Sequence, residues 1–324
     1  MREFELIEQI RQTVGKPSKR VLMGIGDDCA VLHSPKARLL ATTDCLVEGV
    51  HFDFSYMSAF EVGFKALAVN LSDIAAMGGK PLYALVTIGL GKGAEQSVRE
   101  LYRGMSKIAR DFSVDIVGGN VSRSPRQTFV DVSLIGQAGL HTHFRKGAKK
   151  NDLIAVTGHL GASAVGLRLL KTMGRVALSR YPTVSRAHLM PSPRVIEGNA
   201  LGRLSGVTSL IDISDGLAAD LQHILAASNV GALIEQDALP IHLQTEKACS
   251  ELDGCTALEC ALYGGEDYEL LMTIAPKYLA EVKRAVPKVK IIGQVLSASQ
   301  GCVLRRANRV VQQLGLRGWD HLSP

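Results

Sequence analysis

The 324-residue sequence has few aromatic residues, a single tryptophan and no long hydrophobic run. Aromatic residues make up 5% of the chain, so it has no evident platform for stacking nucleic-acid bases. Charged residues interrupt the apolar runs well before about 18 residues, which argues against a membrane-spanning helix. Lys and Arg exceed Asp and Glu by six, but they are scattered along the chain. We therefore expect neither nucleic acid nor membrane as a partner.

Several short motifs are also missing. The six cysteines form no CxxC pair and follow no signal peptide, which predicts reduced thiols in the cytoplasm. Gly24 and Gly26 lack the third glycine of a dinucleotide fingerprint, and GxxxxGK[ST] does not occur. No Ser-His-Asp order or nucleophile elbow indicates a covalent route. The length and the 46% apolar content allow two domains with real cores, and any ATP chemistry needs a scaffold other than a P-loop.

The most informative stretch that is present is an apolar helix predicted to begin near Ala59 and to end at the Gly-Gly-Lys-Pro sequence of residues 78–81. At about 100° per residue, Glu61, Lys65 and Ser72 share one side, which we interpret as the solvent face. Asn70 points to the opposite side, and Asp73 falls between the two. A hydrogen-bonded buried carboxylate explains Asp73 taken alone. A metal or phosphate site gains weight if other carboxylates occur in similar settings.

Four further acidic positions share this setting, beside glycine or an apolar segment at the end of an element. They are Asp27 with Asp28, Asp44, Asp212 with Asp215, and Glu266 with Asp267. Each has a local explanation: a solvated turn for the first pair, a strand end for Asp44, a helix cap for Asp215. Carboxylates that converge raise each other's pKa values unless a cation is bound. Several carboxylates with no set of His or Cys ligands indicate Mg²⁺ and phosphoryl transfer from ATP.

Glycines mark two more positions where backbone can approach a ligand. A strand predicted over 114–117 ends in Gly118-Gly119-Asn120, with Arg123 near enough to meet a phosphate, although a simple turn explains the same residues equally well. The strand predicted over 153–157 runs into a glycine-rich loop, 158–166, whose following helix can hold an anion on its N-terminal amides. The polar and basic stretch around 136–152 predicts a domain junction.

Five motifs taken together resemble the thiamine-monophosphate kinase family, of the superfamily that includes aminoimidazole ribonucleotide synthetase. They are GIGDDCAV (24–31), TTDCLVEGVHF (42–52), NLSDIAAMGG (70–79), IDISDGL (211–217) and GGEDYEL (264–270). The resemblance implies an α+β protein in which residues 1–140 bind ATP and Mg²⁺ and form a barrel-like sheet across a homodimer. Residues 141–324 would form a second α+β domain. The implied reaction transfers the γ-phosphoryl group of ATP to thiamine monophosphate, giving thiamine diphosphate and ADP, in thiamine diphosphate biosynthesis.

The resemblance also implies roles for individual residues. The ligands of several Mg²⁺ ions would be Asp28, Thr42, Thr43, Asp44, Asp73, Asn120, Asp212 and Asp215. The nucleotide contacts would be Gly119, Asn120, Arg145 and Ser214, and the thiamine monophosphate contacts His51, Glu266 and Trp319. Asp44, Asp73 and Asp212 are the residues expected to be catalytic. A histidine hydrogen-bonded within a turn remains the alternative explanation of His51.

One departure from the family pattern concerns the glycine turn, where the family has Gly-Gly-Asp and this chain has Asn120. An amide offers one neutral oxygen in place of a charged carboxylate, so we expect a weaker metal site and a higher Mg²⁺ requirement. Two other functions remain open: a sister ATP-dependent synthetase of the same superfamily, and a non-catalytic nucleotide-binding protein.

Overall fold

The structure is a computed structural model that describes residues 3–25, 30–34, 37–315 and 317–318. The chain forms two compact units. Unit 1 comprises Met1–Ile74 and Lys80–Ala138, and unit 2 comprises Ala75–Gly79 and Gly139–Pro324. Both units mix helices with sheets, which confirms the α+β class. No helix within the described ranges is both long enough and apolar enough to cross a bilayer.

Within the described part of the chain, unit 1 contains three helices, a four-stranded sheet and a short two-stranded ribbon. The helices are α1 (Glu3–Val14), α2 (Ala59–Ala76) and α3 (Val98–Asp111), and the strands are β1 (Val21–Met23), β2 (Val31–Leu32), β3 (Leu39–Val47), β4 (Lys80–Leu90), β5 (Asp115–Arg123) and β6 (Phe129–Gln137). The sheet order is β3-β6-β4-β5, antiparallel except for the β4–β5 pair. The sheet is open, and the barrel across a homodimer stays a prediction.

Alternation along β6 shows how the sequence builds this sheet. Val130, Val132 and Leu134 are 0% exposed, while the residues between them are only partly buried, so one face of the strand supplies the core.

Helices α2 and α3 pack closely because of two glycines. A Cβ on Gly63 would lie 1.8 Å from the Leu101 carbonyl oxygen, and a Cβ on Gly104 would lie 1.8 Å from that of Phe60.

Helix α2 has the predicted bounds but not the predicted solvent face. Glu61, Lys65 and Ser72 are 8%, 0% and 0% exposed, so that interpretation was wrong. The polar groups are tolerated because partners lie nearby. Glu61 accepts hydrogen bonds from the amide and the hydroxyl of Ser58, both at 2.8 Å, and Lys65 Nζ donates to the His51 carbonyl oxygen at 3.3 Å. The helix is therefore buried on all sides.

The sequence predicts that the Gly-Gly-Asn sequence ends a strand. In the structure this sequence lies inside β5. Gly118, Gly119 and Asn120 continue the parallel ladder with β4. The glycines permit this pairing: Gly119 has φ +157°, and a Cβ there would lie 1.9 Å from the Val86 carbonyl oxygen. A residue with a side chain cannot approach β4 so closely, which explains why glycine occupies this strand position.

Unit 2 is built on a seven-stranded sheet with the order β13-β12-β9-β11-β7-β10-β8, antiparallel except for the β9–β12 pair. Its strands are β7 (Leu153–Val156), β8 (Val207–Asp212), β9 (Val230–Glu235), β10 (Leu270–Ile274), β11 (Lys290–Ser297), β12 (Cys302–Arg305) and β13 (Val311–Gln313). Its helices are α4 (Ala162–Met173), α5 (Val176–Arg180), α6 (Pro182–Leu189), α7 (Val195–Leu201), α8 (Leu217–Ser228), α9 (Leu243–Cys249), α10 (Ala257–Tyr263) and α11 (Leu279–Ala285). Ile154, Ile211, Leu221 and Ile292 lie in its core.

Candidate functional site

The first acidic cluster consists of Thr42, Asp44 and Asp73 in unit 1. Thr42 and Asp44 lie two residues apart on β3 and are both half-buried, so their side chains share a face of the strand. The Thr42 hydroxyl donates a short hydrogen bond to Asp73 Oδ2 on α2. The structure therefore brings the second and third of the predicted acidic motifs together through the packing of a helix on a strand.

Thr43 points away from this cluster. It is exposed on the other face of β3, where its hydroxyl donates to Asp131 Oδ1 at 3.2 Å and lies 3.2 Å from Ser133 Oγ. Two consecutive residues of a strand present their side chains to opposite faces, so the hydroxyls of Thr42 and Thr43 cannot reach the same ion. A Thr43 ligand in the first acidic cluster would have to be its backbone oxygen.

His51 follows β3 in a turn that fixes its ring. Its Nδ1 accepts a hydrogen bond from the Val47 amide at 3.1 Å, so Nδ1 carries no proton and Nε2 is the nitrogen that can donate to a ligand. The carbonyl of the same residue receives the buried Lys65 ammonium. We did not identify Lys65 from the sequence as part of this region. A lysine inside an otherwise apolar helix is the signal that could have found it.

Asn120 lies away from the first acidic cluster. It is exposed on β5, and β5 and β3 are opposite edges of the sheet with β6 and β4 between them. Three strand spacings separate the two edges, about 14 Å in a flat sheet. Within this unit, the structure does not place Asn120 beside Asp44 as a ligand of the same ion.

The second acidic cluster consists of Asp212, Asp215 and Asp220 in unit 2. Asp212 is the last residue of β8 and is 6% exposed. Asp220 Oδ2 accepts hydrogen bonds from the backbone amides of Ser214, Asp215 and Gly216, each at 3.1 Å. Asp220 therefore holds the loop that leads into α8, and the N-cap residue of that helix is Gly216 and not Asp215, as the alternative explanation of Asp215 expected.

Asp220 was missed by the sequence reasoning, although an acidic residue in the first turn after a glycine is a recognisable signal. Burial, together with the neighbouring charges of Asp212 and Asp215, raises the pKa of Asp220 to about 8. Ligand atoms of Asp215, Asp220 and His223 all lie within 4.8 Å of one another. This crowding of carboxylates is the condition that a bound cation relieves.

The Gly-Gly-Glu-Asp loop is tied to the second acidic cluster through its backbone. The Glu266 amide donates to the Ser214 carbonyl at 2.7 Å, and the Tyr268 amide donates to that of Ile213 at 2.8 Å. Glu266 has φ +65° and Tyr268 has φ +50°. Residues other than glycine rarely adopt this left-handed backbone conformation, and those that do are concentrated at functional sites. Glu266 Oε2 lies 3.0 Å from Nδ1 of the buried His188, so the carboxylate is held in place.

The glycine-rich loop at the start of α4, which the sequence predicts to hold an anion, already binds the side chain of Asp267. Asp267 is partly buried and accepts hydrogen bonds from the backbone amides of Gly161, at 2.8 Å, and Ser163, at 3.5 Å. Burial raises the pKa of Asp267, and the two amides oppose that rise. The loop amides do bind an acidic group, as their pattern predicts, but the group is a side chain of the same chain.

A second buried carboxylate, Glu269, supports the same region and was not found from the sequence. It is 4% exposed, pairs with both ends of the Arg194 guanidinium, and accepts a hydrogen bond from the Thr157 hydroxyl at 2.6 Å. A Cβ on Gly158 would lie 1.9 Å from Glu269 Oε1, so the glycine makes room for this ion pair. The network fixes the strand that leaves the Gly-Gly-Glu-Asp loop.

The remaining predicted residues lie at the edge of unit 2 or beyond the described ranges. Arg145 is exposed, and its neighbour Phe144 accepts a hydrogen bond from the Leu210 amide at 3.0 Å, which places the segment beside β8. A Cβ on Gly318 would lie 3.0 Å from the Asp215 carbonyl oxygen, so the tail contacts the second acidic cluster there. Asp28 and Trp319, like Asp27, lie outside the described residues.

Comparison with known proteins agrees with these features. Residues 26–138 match the N-terminal domain of AIR synthase related proteins, and residues 149–303 match the C-terminal domain. The thiamine-monophosphate kinase of Buchnera aphidicola subsp. Schizaphis graminum is 37% identical over 92% of both chains. The crystal structure of thiamine-monophosphate kinase from Stenotrophomonas maltophilia is 34% identical and covers 94% of this chain and 96% of its own, with a TM-score of 0.81.

A further solved structure carries ligands. AaThiL, complexed with AMPPCP and TMP, is 33% identical over 99% of both chains and superposes with a TM-score of 0.77. Identity above 30% over nearly the whole length of each relative is much more than a shared fold requires. The chain with its two acidic clusters and its Gly-Gly-Glu-Asp loop belongs to the thiamine-monophosphate kinase family.

Proposed function

We propose that this protein transfers the γ-phosphoryl group of ATP to thiamine monophosphate, giving thiamine diphosphate and ADP. The observation that carries this proposal is the full-length similarity to chains named thiamine-monophosphate kinase, together with a relative bound to AMPPCP and TMP. The acidic motifs that a phosphoryl transfer between two polyanions requires are all present in the sequence. We further propose a homodimer and a cytoplasmic location.

The residues of both acidic clusters suit Mg²⁺. Thr42, Asp44 and Asp73 offer hard oxygen donors in unit 1, and Asp212 and Asp215 offer carboxylates in unit 2. The raised pKa of Asp220 supports a cation at the second acidic cluster, because a positive charge would offset the repulsion among its carboxylates. When bound, Mg²⁺ neutralises the charge of the two reacting phosphates. Asp28 would complete the set.

The remaining predicted site residues would position the two substrates. Gly119, Asn120, Arg145 and Ser214 would contact the nucleotide, and Trp319 would contact the thiamine rings. His51 can donate from Nε2 because Nδ1 already accepts the Val47 amide. Glu266 can accept a donor of the substrate while His188 holds its other side.

No strong general base is needed among these residues. The attacking oxygen belongs to the phosphate of thiamine monophosphate and is already ionised at neutral pH, so no proton has to be removed from it. The contribution of the protein is to align donor and acceptor and to offset their charges. The composition of the two acidic clusters agrees with a reaction that needs no general base. They offer carboxylates, and the nearby histidine, His51, is fixed in a turn by the Val47 amide.

The direct test is to incubate the purified protein with ATP, Mg²⁺ and thiamine monophosphate and to separate the products. We expect thiamine diphosphate and ADP in equal amounts, and no diphosphate without thiamine monophosphate. Binding of ATP with no ADP formed would instead support a non-catalytic nucleotide-binding protein, the alternative that Asn120 raises. ADP formed only with another acceptor would support a sister synthetase.

A further inference from the structure

Three cysteines outside both acidic clusters lie together in unit 2. Cys249 Sγ is 2.9 Å from Cys255 Sγ, and Cys255 Sγ is 3.6 Å from Cys260 Sγ. All three sulfurs lie within 4.8 Å of one another. Cys249 and Cys260 are each 5% exposed, whereas Cys255 is partly open to solvent. We call these three residues the cysteine cluster.

The backbone fixes the cysteine cluster through short-range hydrogen bonds. Cys249 ends α9, and the Leu252 amide donates to its carbonyl at 3.1 Å. The Cys255 amide then donates to the Leu252 carbonyl at 3.3 Å, so two successive turns bring Cys255 back beside Cys249. The Cys260 amide donates to the carbonyl of Thr256 at 3.0 Å, and the Thr256 side chain caps α10. The three sulfurs are thus positioned by local structure and not by chance contact of mobile side chains.

The spacing of the sulfurs suits a metal ion. A tetrahedral ion at about 2.3 Å from each sulfur holds its thiolates about 3.8 Å apart. The Cys255–Cys260 separation of 3.6 Å is close to this value, and the Cys249–Cys255 separation of 2.9 Å has to widen by about 0.9 Å. A disulfide between Cys249 and Cys255 would leave the third sulfur unexplained, and it would need an oxidant.

We propose that Cys249, Cys255 and Cys260 bind one thiophilic divalent cation, represented by Zn²⁺, through three thiolates. The fourth tetrahedral position faces solvent on the partly exposed side of Cys255 and is filled by water. Three thiolates and Zn²⁺ carry a net charge of about −1, which the Arg168 guanidinium partly offsets, since it donates to the Gly254 carbonyl at 3.2 Å.

Binding releases protons to the solution. Burial and the neighbouring sulfurs raise the pKa values of Cys249 and Cys260, so these thiols are protonated without the ion. Each of the three thiols forms an S–Zn bond and loses its proton to the buffer, and no electron is transferred. The site is structural: it joins the end of α9 to α10, the helix that precedes the Gly-Gly-Glu-Asp loop.

The test uses the full chain, stripped of metal by a chelator under reducing, oxygen-free conditions. Titration with Co²⁺ should produce the thiolate-to-cobalt charge-transfer absorption, saturating at one ion per chain, and Zn²⁺ should abolish it. Oxygen ligands in the acidic clusters do not give this absorption, so the signal is specific for the thiols. Cys255→Ser should weaken binding at least tenfold, since even the loss of an outer partner of a metal ligand costs about 10–100-fold. Cys302→Ala, which removes a buried cysteine outside the cluster, should bind like the wild type.

A second measurement needs no variant. Alkylation of the unmodified protein, followed by peptide mass spectrometry, should show that one equivalent of Zn²⁺ protects Cys249, Cys255 and Cys260 and leaves Cys45 as reactive as before. Absence of the charge-transfer absorption, or equal alkylation with and without Zn²⁺, would overturn the proposal. So would a Cys249–Cys255 disulfide in protein prepared without oxygen. None of these results depends on the kinase reaction.

Discussion

The two acidic clusters are held together in different ways. In unit 1, Thr42 on β3 meets Asp73 on α2, and 31 positions of sequence separate the two residues. In unit 2, Asp212, Asp215 and Asp220 lie on one strand, loop and helix, and the Asp220 carboxylate binds three consecutive amides. The first acidic cluster thus depends on tertiary packing and the second on local hydrogen bonds. We expect substitutions in the first to change mainly catalysis and those in the second to change stability as well.

The largest effect is expected for Asp73→Asn. The amide oxygen can still accept the Thr42 hydroxyl, so the fold should persist, while the negative charge is lost. We expect kcat/KM for thiamine monophosphate to fall by about 10²–10³, as for removal of one group that stabilises developing charge. Asp131→Asn, on β6 where the carboxylate accepts the Thr43 hydroxyl, is the matched control and should stay close to the wild type. Equal rates for Asp73→Asn and wild type would remove Asp73 from the reaction.

The second prediction concerns the pH dependence of stability at Asp220. Its pKa in the folded protein is raised to about 8 from an ordinary value of 3.8, so between these values the folded state keeps a proton that the unfolded state has lost. The stability that Asp220 contributes is therefore present at low pH and falls as pH rises towards 8. Asn does not titrate, so wild type should lose about 2 kcal/mol relative to Asp220→Asn between pH 6 and 8.

Urea unfolding of both proteins at several pH values measures this difference. Mg²⁺ should flatten it, because a cation beside Asp212 and Asp215 favours the ionised carboxylate. A difference in the free energy of unfolding that is independent of pH would contradict the prediction. The same pair of proteins thus tests whether the second acidic cluster combines a structural and a binding role.

An effect of similar size is expected at Gly119 in β5. Alanine there would meet the Val86 carbonyl at 1.9 Å in a left-handed backbone, and we expect a loss of about 2 kcal/mol in the free energy of unfolding. Gly118→Ala is the control, since its nearest neighbour is the movable Leu85 side chain at 3.1 Å. Equal losses for the two variants would show that the close approach to β4 is not what requires glycine.

The smallest predicted effect is that of Asn120→Asp. The added carboxylate restores the family's Gly-Gly-Asp pattern, so we expect the Mg²⁺ concentration for half-maximal activity to fall a few-fold. Asn308→Asp introduces the same charge at an exposed turn of unit 2 and should leave the Mg²⁺ dependence unchanged. An unaltered Mg²⁺ requirement in Asn120→Asp would show that this position does not contribute to a metal site.

Local patterns predicted the fold well where one residue type decides the local structure. The bounds of α2 follow from its apolar run and the Gly-Gly-Lys-Pro end, and the strand β6 follows from its alternation. The face of α2 could not be predicted, because Glu61 and Lys65 find their partners in a preceding turn and a distant carbonyl. Gly118 and Gly119 read as a turn, because the close approach of β4 is not visible in the sequence.

The candidate site was predicted in outline from charged residues beside glycines, and its supporting residues were not. Asp220, Glu269 and Lys65 all act on backbone or on other side chains of the same chain. Their importance comes from burial and from their hydrogen-bond partners, which for Glu269 lie far along the sequence, and a single sequence shows neither. Motifs expose the groups that meet the ligand, whereas the groups that hold those motifs in place resemble ordinary polar residues.

The binding of the Asp267 side chain to the amides at the start of α4 has a consequence for ligand choice. A tethered group acts at an effective concentration in the millimolar range or above, whatever the composition of the surroundings. Free phosphate or nucleotide that binds these amides no more tightly than the carboxyl group cannot displace it at lower concentration. A helix start that serves as a phosphate cradle in other proteins is here closed to competing anions, so the polyphosphate has to be gripped elsewhere.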